Sequence, residues 1–66
     1  MATFFTIPRQ ELDWDHNVKA QLMALSEQSL EIEQAYCFLP QQAYQDTFRW
    51  VLETNQIPYR LAQAAE

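Results

Sequence analysis

The chain has 66 residues, 48% of them hydrophobic and 20% charged, and its nine acidic and four basic residues give a net charge of −5. It contains no glycine, which excludes nucleotide-binding loops, nucleophile elbows and glycine-rich phosphate cradles, because these need backbone conformations that only glycine adopts readily. The basic residues (Arg9, Lys19, Arg49 and Arg60) are scattered, so we expect no direct nucleic-acid binding.

A chain of this length is expected to form a single domain, residues 1–66, which buries only about 60% of the surface that its unfolded chain exposes. Self-association or a protein partner is therefore expected. The lone Cys37 has no partner for an intrachain disulfide, and the sequence has no signal peptide and no apolar run of about 18 residues. We expect a soluble, cytoplasmic protein that does not span a membrane.

The first predicted element is a strand from Ala2 to Pro8, because this segment is rich in aromatic and β-branched residues and ends on a proline. A helix from Asp13 to about Gln28 follows. Acidic residues crowd its beginning, where they interact favourably with the positive end of the helix dipole. Its apolar residues recur at helical spacing and are Trp14, Val18, Leu22 and Leu25.

The segment from Ser29 to Leu39 is compatible with two structures. Even spacing, which is typical of a strand, relates its large apolar residues, Leu30, Ile32, Tyr36 and Phe38. The same segment also continues the spacing of the first helix as far as Pro40, which is typical of one arm of a helical hairpin. We favour the strand, because Tyr-Cys-Phe-Leu before a proline is a poor helix end.

The second helix is predicted to have Pro40 at its first position, where the missing N–H is harmless, and Asn55 as a left-handed cap in place of glycine. Its buried stripe consists of Ala43, Tyr44, Thr47, Phe48, Val51 and Leu52. A last strand covers residues 57–63, and Pro58 restricts it to an edge of the sheet.

The predicted fold is an α/β or α+β module of order β-α-β-α-β, with a three-stranded sheet and two helices. A strand that ends on proline and leads into a helix thus occurs twice, at Pro8 and at Pro40. The alternative is an α-helical hairpin with short flanking strands.

The strands carry more apolar surface than one layer of helices covers. Phe4 and Phe5 point to opposite faces of the first strand, and the segment from Ala35 to Leu39 is apolar on both faces. If both helices lie on one face, the other face needs a second copy or a different protein as its cover. The alternative, one helix on each face, needs no partner.

No residue is assigned a catalytic, cofactor-binding or metal-binding role. His16 with Asp13 and Asp15 is the one cluster whose residue types suit metal or acid–base chemistry. Their place at the start of a helix instead indicates acids that interact with the helix dipole, beside an exposed histidine. Apolar neighbours predict that Cys37 packs in the core and is not a reactive thiol.

Trp50 and Met23 fall outside the apolar stripes of their helices, and interfaces are enriched in these residue types. The predicted partner-binding residues are Phe4, Trp14, Met23, Tyr36, Trp50 and Tyr59. The sequence therefore favours a small acidic interaction module that self-associates and acts as a regulator, adaptor or accessory subunit of a larger complex.

Two other functions remain open. A small enzyme or ligand-binding homodimer would form a pocket between its subunits, lined by Tyr36, Tyr59, Trp14 and His16. An acidic inhibitor would instead occupy the nucleic-acid site of a basic partner, and its association would be sensitive to salt.

Overall fold

Residues 3–63, which the computed structural model describes, form a four-stranded antiparallel sheet and two helices. Along the chain the elements are β1 (Thr3–Pro8), α1 (His16–Ala24), β2 (Ser26–Ile32), β3 (Ala35–Pro40), α2 (Gln45–Thr54) and β4 (Arg60–Gln63). Short 3-10 turns, Arg9–Glu11 and Gln42–Tyr44, precede the two helices.

The strand order is β2-β3-β1-β4, and every neighbouring pair of strands is antiparallel. Each helix therefore connects two strands that are separated by a third strand, which is the split βαβ arrangement of ferredoxin-like folds. The fold class is α+β. The predicted combination of a small sheet with two helices is confirmed, but the order is β-α-β-β-α-β and the sheet has four strands instead of three.

The first helix is shorter than the sequence predicts. Its start is fixed by Asp15, whose carboxylate accepts hydrogen bonds from the backbone N–H groups of Asn17 and Val18, both at 3.1 Å. The predicted end at about Gln28 is wrong, because the chain enters β2 at Ser26 and pairs there with β3. Apolar spacing alone could not detect this pairing.

Residues 29–39 form parts of two strands and not one. Ile32 pairs with Ala35, so Glu33 and Gln34 make a two-residue hairpin turn. Glu33 has a φ of 53°, a left-handed conformation that glycine usually adopts in such turns. The alternative of a helical hairpin is wrong, because β2 and β3 pair along their length.

The end of β3 and the cap of α2 also differ from the prediction. Pro40 is the last residue of β3 and not the first of a helix. Asn55 has a φ of −95°, while Gln56 has the left-handed φ of 58°. The Asn55 side chain instead donates a hydrogen bond to the carbonyl oxygen of Val51 (2.8 Å).

The first strand begins at Thr3 in the structure, and the predicted Ala2 lies outside the described residues.

Both helices pack on the same face of the sheet. The core cluster on this face joins alternate residues of β1 and β3 with one side of each helix, and consists of Phe5, Ile7, Leu12, Val18, Leu22, Tyr36, Phe38, Phe48, Val51, Leu52 and Ile57. Phe48 of α2 lies between two strands, with its ring centroid 4.9 Å from that of Phe5 and 5.5 Å from that of Phe38. The alternative of one helix on each face is therefore wrong.

Candidate functional site

The other face of the sheet has no helix over it within residues 3–63, and we call it the bare face. Strand alternation places on it the neighbours of the core residues of β1 and β3, together with residues of β2 and β4 that pair with those neighbours. These residues are Phe4, Thr6 and Pro8 of β1, Gln28, Leu30 and Ile32 of β2, Ala35, Cys37 and Leu39 of β3, and Arg60 and Ala62 of β4.

The register of the strands arranges large and small side chains in a pattern across this face. In the middle row, Leu30 lies beside Cys37, Cys37 beside Thr6, and Thr6 beside Arg60. In the next row, Ile32 lies beside Ala35, and Ala35 beside Pro8. In these two rows, large aliphatic side chains lie on the edge strand β2, while smaller side chains occupy the two central strands.

The large side chains of β2 form an exposed ridge. Leu30 is 48% exposed and Ile32 is 50% exposed, and we call these two residues the ridge. Leu39, Cys37 and Phe4 on the central strands are half-buried by their neighbours. The bare face thus has raised apolar side chains along one edge.

Next to the ridge the surface is concave. A depression of about 570 Å³ extends from the β2–β3 turn across β1 to the beginning of β4. Its floor and walls are formed by Thr6, Pro8, Ile32, Glu33, Gln34, Ala35, Pro58, Tyr59 and Arg60. We call this depression the trough.

The bare face is nearly free of charge, although the protein has a net charge of −5. Among its strand residues, within the described part of the chain, Arg60 is the one that carries a charge. Glu31 of β2 points to the opposite face, where its carboxylate oxygen lies 2.7 Å from the guanidinium of Arg9. Glu33 of the hairpin turn also lines the trough.

The structure does not gather the predicted partner-binding residues on one surface. Phe4 lies on the bare face, and Tyr59 lines the trough while its ring packs 5.3 Å from that of Phe5. Trp14 is 67% exposed in the segment before α1, and Trp50 is 63% exposed on α2. The exposure of Trp50 agrees with its position outside the apolar stripe of its helix. Trp14 has the apolar spacing of the first helix but lies before α1 and is exposed, as a partner-binding residue requires.

Met23 and Tyr36 lie together on the helix-covered side. They line a cavity of about 170 Å³ between α1 and β2. Met23 is 48% exposed, as its helical phase predicts, whereas Tyr36 is 6% exposed and belongs to the core. Tyr36 therefore offers almost no accessible surface to a partner.

Sequence reasoning missed the ridge and most of the trough. The even spacing in the sequence predicts that Leu30 and Ile32, which alternate with glutamates, share a face with Tyr36 and Phe38. The turn at Glu33 and Gln34 reverses the chain, so that Leu30 pairs with Cys37 and points away from the core. A hairpin signal between Ile32 and Ala35 would have revealed this, but the turn contains neither glycine nor asparagine.

A polar cluster links α1 to the sheet on the covered side. The Tyr36 hydroxyl donates to a carboxylate oxygen of Asp13 and accepts a hydrogen bond from the Lys19 ammonium at 2.9 Å. The hydrogen bond to Tyr36 raises the pKa of Lys19 above its ordinary value. Arg9 forms ion pairs with Asp13 (3.8 Å) and Glu31 (2.7 Å). These groups bind one another, which makes the cluster a cross-link in the structure.

The cluster of His16, Asp13 and Asp15 does not assemble a metal site. Asp15 caps α1 and Asp13 binds Tyr36, so both carboxylates have structural partners. Among residues 3–63, no group of three His, Cys, Asp or Glu side chains is arranged to hold a metal ion. Cys37 is half-buried on the bare face with its sulfur 3.8 Å from the Thr6 hydroxyl, not in the core as predicted.

The chain was compared with known proteins, and it matches no family model, no curated protein and no solved structure. No helix in the described range is long and apolar enough to cross a membrane. The ferredoxin-like topology is shared by proteins of many functions and defines none by itself. The bare face, with its ridge and trough, is therefore the basis for a functional assignment.

Proposed function

We propose that this chain is a small acidic protein–protein interaction module that docks through the bare face and acts as a regulator, adaptor or accessory subunit. The observation that carries the proposal is an exposed apolar sheet face that lies opposite a complete core. A face of this kind is typical of a contact surface, because monomeric proteins rarely expose contiguous apolar patches.

The energetics of the ridge support docking. Leu30 and Ile32 each expose about half of their surface, and covering that remaining surface contributes about 1 kcal/mol for each side chain. Neither residue belongs to the core cluster. Their burial by another molecule therefore adds stability that the isolated fold does not already have.

The charge of the face favours a protein over a nucleic acid. Nucleic-acid platforms on four-stranded sheets combine several stacking aromatics with basic residues. Among the described strand residues whose side chains lie on the bare face, one is aromatic, Phe4, and one is a cation, Arg60. The acidic-inhibitor alternative requires the acidic surface instead, and it predicts a partner that salt releases.

The experiment compares two matched leucines on opposite faces of the sheet. Leu30 on β2 is 48% exposed on the bare face, while Leu61 on the other edge strand is 49% exposed and pairs with Phe5 on the covered face. Three tagged proteins are compared in affinity capture from a lysate of the cells in which the chain occurs naturally. They are the natural chain, Leu30→Lys and Leu61→Lys.

Docking through the bare face predicts that Leu30→Lys loses proteins that the natural chain and Leu61→Lys both retain. Lysine is well tolerated on exposed edge strands, so both variants are expected to fold, and circular dichroism checks this. Equal retention by the two variants would contradict the assignment of the bare face.

A second candidate function follows from the trough. Its volume of about 570 Å³ lies in the range of small-molecule sites, and it offers apolar walls with Arg60 and the Tyr59 ring. Of the pocket residues predicted from the sequence, Tyr59 is the one that lines it. Thermal denaturation with a panel of metabolites distinguishes the two functions, since a ligand that fills the trough raises the melting temperature.

A cytoplasmic location belongs to the same proposal. The lone Cys37 is not in a disulfide, and a small chain stabilised by its core and not by disulfides suits a reducing compartment. Fluorescence microscopy of the tagged chain in its own cells tests this location.

A further inference from the structure

We infer that the occupant of the bare face is a second copy of this chain, packed sheet on sheet about a two-fold axis that lies between the two sheets. The inference rests on the proposed function, because it names the partner of the same surface. Three features of the face support a second copy: its shape, its charge and its area.

The shape of the bare face is complementary to itself. A two-fold axis brings the same patch of both copies into contact, so each convex element must meet a concave one. The ridge, Leu30 and Ile32, is convex, and the trough beside it has a volume of about 570 Å³. Sheets that pack face to face place interdigitating side chains between them. The ridge of one copy therefore fits into the trough of the other.

The charge of the face also permits self-association. Two copies together carry twice the net charge of −5, and acidic residues facing each other would oppose contact. Within the described part of the chain, the strand residues that pairing places on the bare face carry no carboxylate, and Glu31 points to the covered face. Glu33 of the hairpin turn lines the trough, together with Arg60 of opposite charge. Sheet-on-sheet packing thus directs the acidic surfaces of both copies outward.

The area is sufficient for a reversible dimer. Four strands about 4.8 Å apart and about six residues long span about 19 Å by 20 Å, or about 400 Å² in projection. Two such faces in contact bury at least about 800 Å² in total, and the relief of the ridge and trough adds to this area. This is near the lower limit for a specific interface, and we expect a dimer that dissociates on dilution.

Pairing of edge strands is the competing way to form a dimer. The outer edge of β2 is exposed, but its register shifts between Ser26 and Gln28, and it carries Glu27 and Glu31. Bulges and charged side chains on an edge strand oppose pairing with another strand. The bare face is therefore a better surface for self-association than the outer edge of β2.

The experiment is sedimentation equilibrium of the full chain over a wide range of concentrations, with Leu30→Lys as the test variant and Leu61→Lys as its matched control. We expect the natural chain to show a monomer–dimer equilibrium. Leu30→Lys should raise the dimer dissociation constant about tenfold or more, because it replaces an apolar contact by an ammonium that loses its hydration in the interface. Leu61→Lys should leave the constant unchanged.

A third variant tests whether the ridge meets the trough. Thr6→Glu places a carboxylate in the trough. The dimer dissociation constant of this variant should therefore also rise. Mixing Thr6→Glu with Leu30→Lys should restore dimers, because the ammonium of one chain then meets the carboxylate of the other. Restoration also shows that both variants are folded.

The remaining outcomes separate this inference from the proposed function. In one outcome the natural chain stays monomeric, but Leu30→Lys still loses proteins that Leu61→Lys retains. This overturns the inference of a second copy and supports docking of a different protein. A dimer that Leu30→Lys does not weaken, or a mixture that does not restore dimers, overturns the ridge-in-trough contact. A monomer with no Leu30-dependent partner overturns both proposals.

Discussion

The two faces of the sheet use similar residue types for different purposes. Phe5 and Phe4 are adjacent in sequence, yet Phe5 is 1% exposed beneath α2 while Phe4 is half-buried on the bare face. The covered face completes a core to which both helices contribute. The bare face is similarly apolar on its central strands but has no helical cover within residues 3–63. Strand alternation thus separates the residues that stabilise the fold from those available for contact.

The largest predicted effect is a loss in the free energy of unfolding that differs between alanine variants of these two phenylalanines. Phe5→Ala removes ring contacts with Phe48 (4.9 Å) and Tyr59 (5.3 Å) from a fully buried site. It should lower the free energy of unfolding by about 3–5 kcal/mol, much of the stability of a domain of this size. Phe4→Ala should lower it by less than about 2 kcal/mol.

Urea denaturation measures both changes, and sedimentation shows whether Phe4→Ala weakens self-association. Two variants with equal losses of stability would mean that Phe4 is also covered within one chain. The assignment of a bare face would then be wrong.

The sequence predicts the elements whose signals are local. The strand before Pro8 is confirmed, and in the predicted stripe of the second helix Phe48, Val51 and Leu52 are buried as their spacing predicts. The rest of that stripe is wrong, because Thr47 is exposed and Ala43 and Tyr44 lie exposed in the turn before α2. A strand also ends at each of Pro8 and Pro40, although Pro40 does not begin the predicted helix. Proline restricts the backbone of its own residue and of the one before it, so its signal does not depend on tertiary contacts.

The hairpin of β2 and β3 could not be predicted in the same way. The turn at Glu33 and Gln34 lacks glycine and asparagine, and the apolar spacing of α1 continues through β2. The pairing of Ile32 with Ala35 depends on contacts between strands. The candidate site was therefore only partly predictable: an uncovered sheet face follows from residues 35–39, but the ridge requires the register.

A smaller change in the free energy of unfolding is predicted for a substitution in the hairpin turn that follows β2, the strand that carries the ridge. Glu33 holds a φ of 53°, which costs a residue with a side chain about 1–2 kcal/mol. Glycine avoids this cost but loses more entropy on folding. Glu33→Gly should therefore raise the free energy of unfolding by up to about 1 kcal/mol.

Gln34→Gly is the matched control, because Gln34 is in the same turn but has no positive φ. It should lower stability by about 0.5–1 kcal/mol. Thermal and urea denaturation give both values. Stabilisation by Gln34→Gly, or loss of stability in Glu33→Gly, would place the left-handed residue elsewhere and change the register of the ridge.

The smallest predicted effect is an alkaline loss of stability that originates on the covered side. The hydrogen bond to Tyr36 raises the pKa of Lys19, while burial and then the hydrogen bond to Glu53 (3.1 Å) raise the pKa of Tyr59. Both groups therefore hold their protons more tightly in the folded chain than in the unfolded one. Their contribution is complete below the unfolded pKa values and is lost as the pH rises through the folded ones.

Urea denaturation from neutral pH to above about pH 10 should show the free energy of unfolding decline at the alkaline end. Tyr59→Phe keeps the ring against Phe5 and removes the titrating hydroxyl, so its decline should be shallower than that of the natural chain. Lys19→Met should also reduce the decline, because it removes the other group whose pKa is raised in the folded chain. An unchanged decline in Tyr59→Phe would mean that the alkaline loss originates in groups outside the contact between Tyr59 and Glu53.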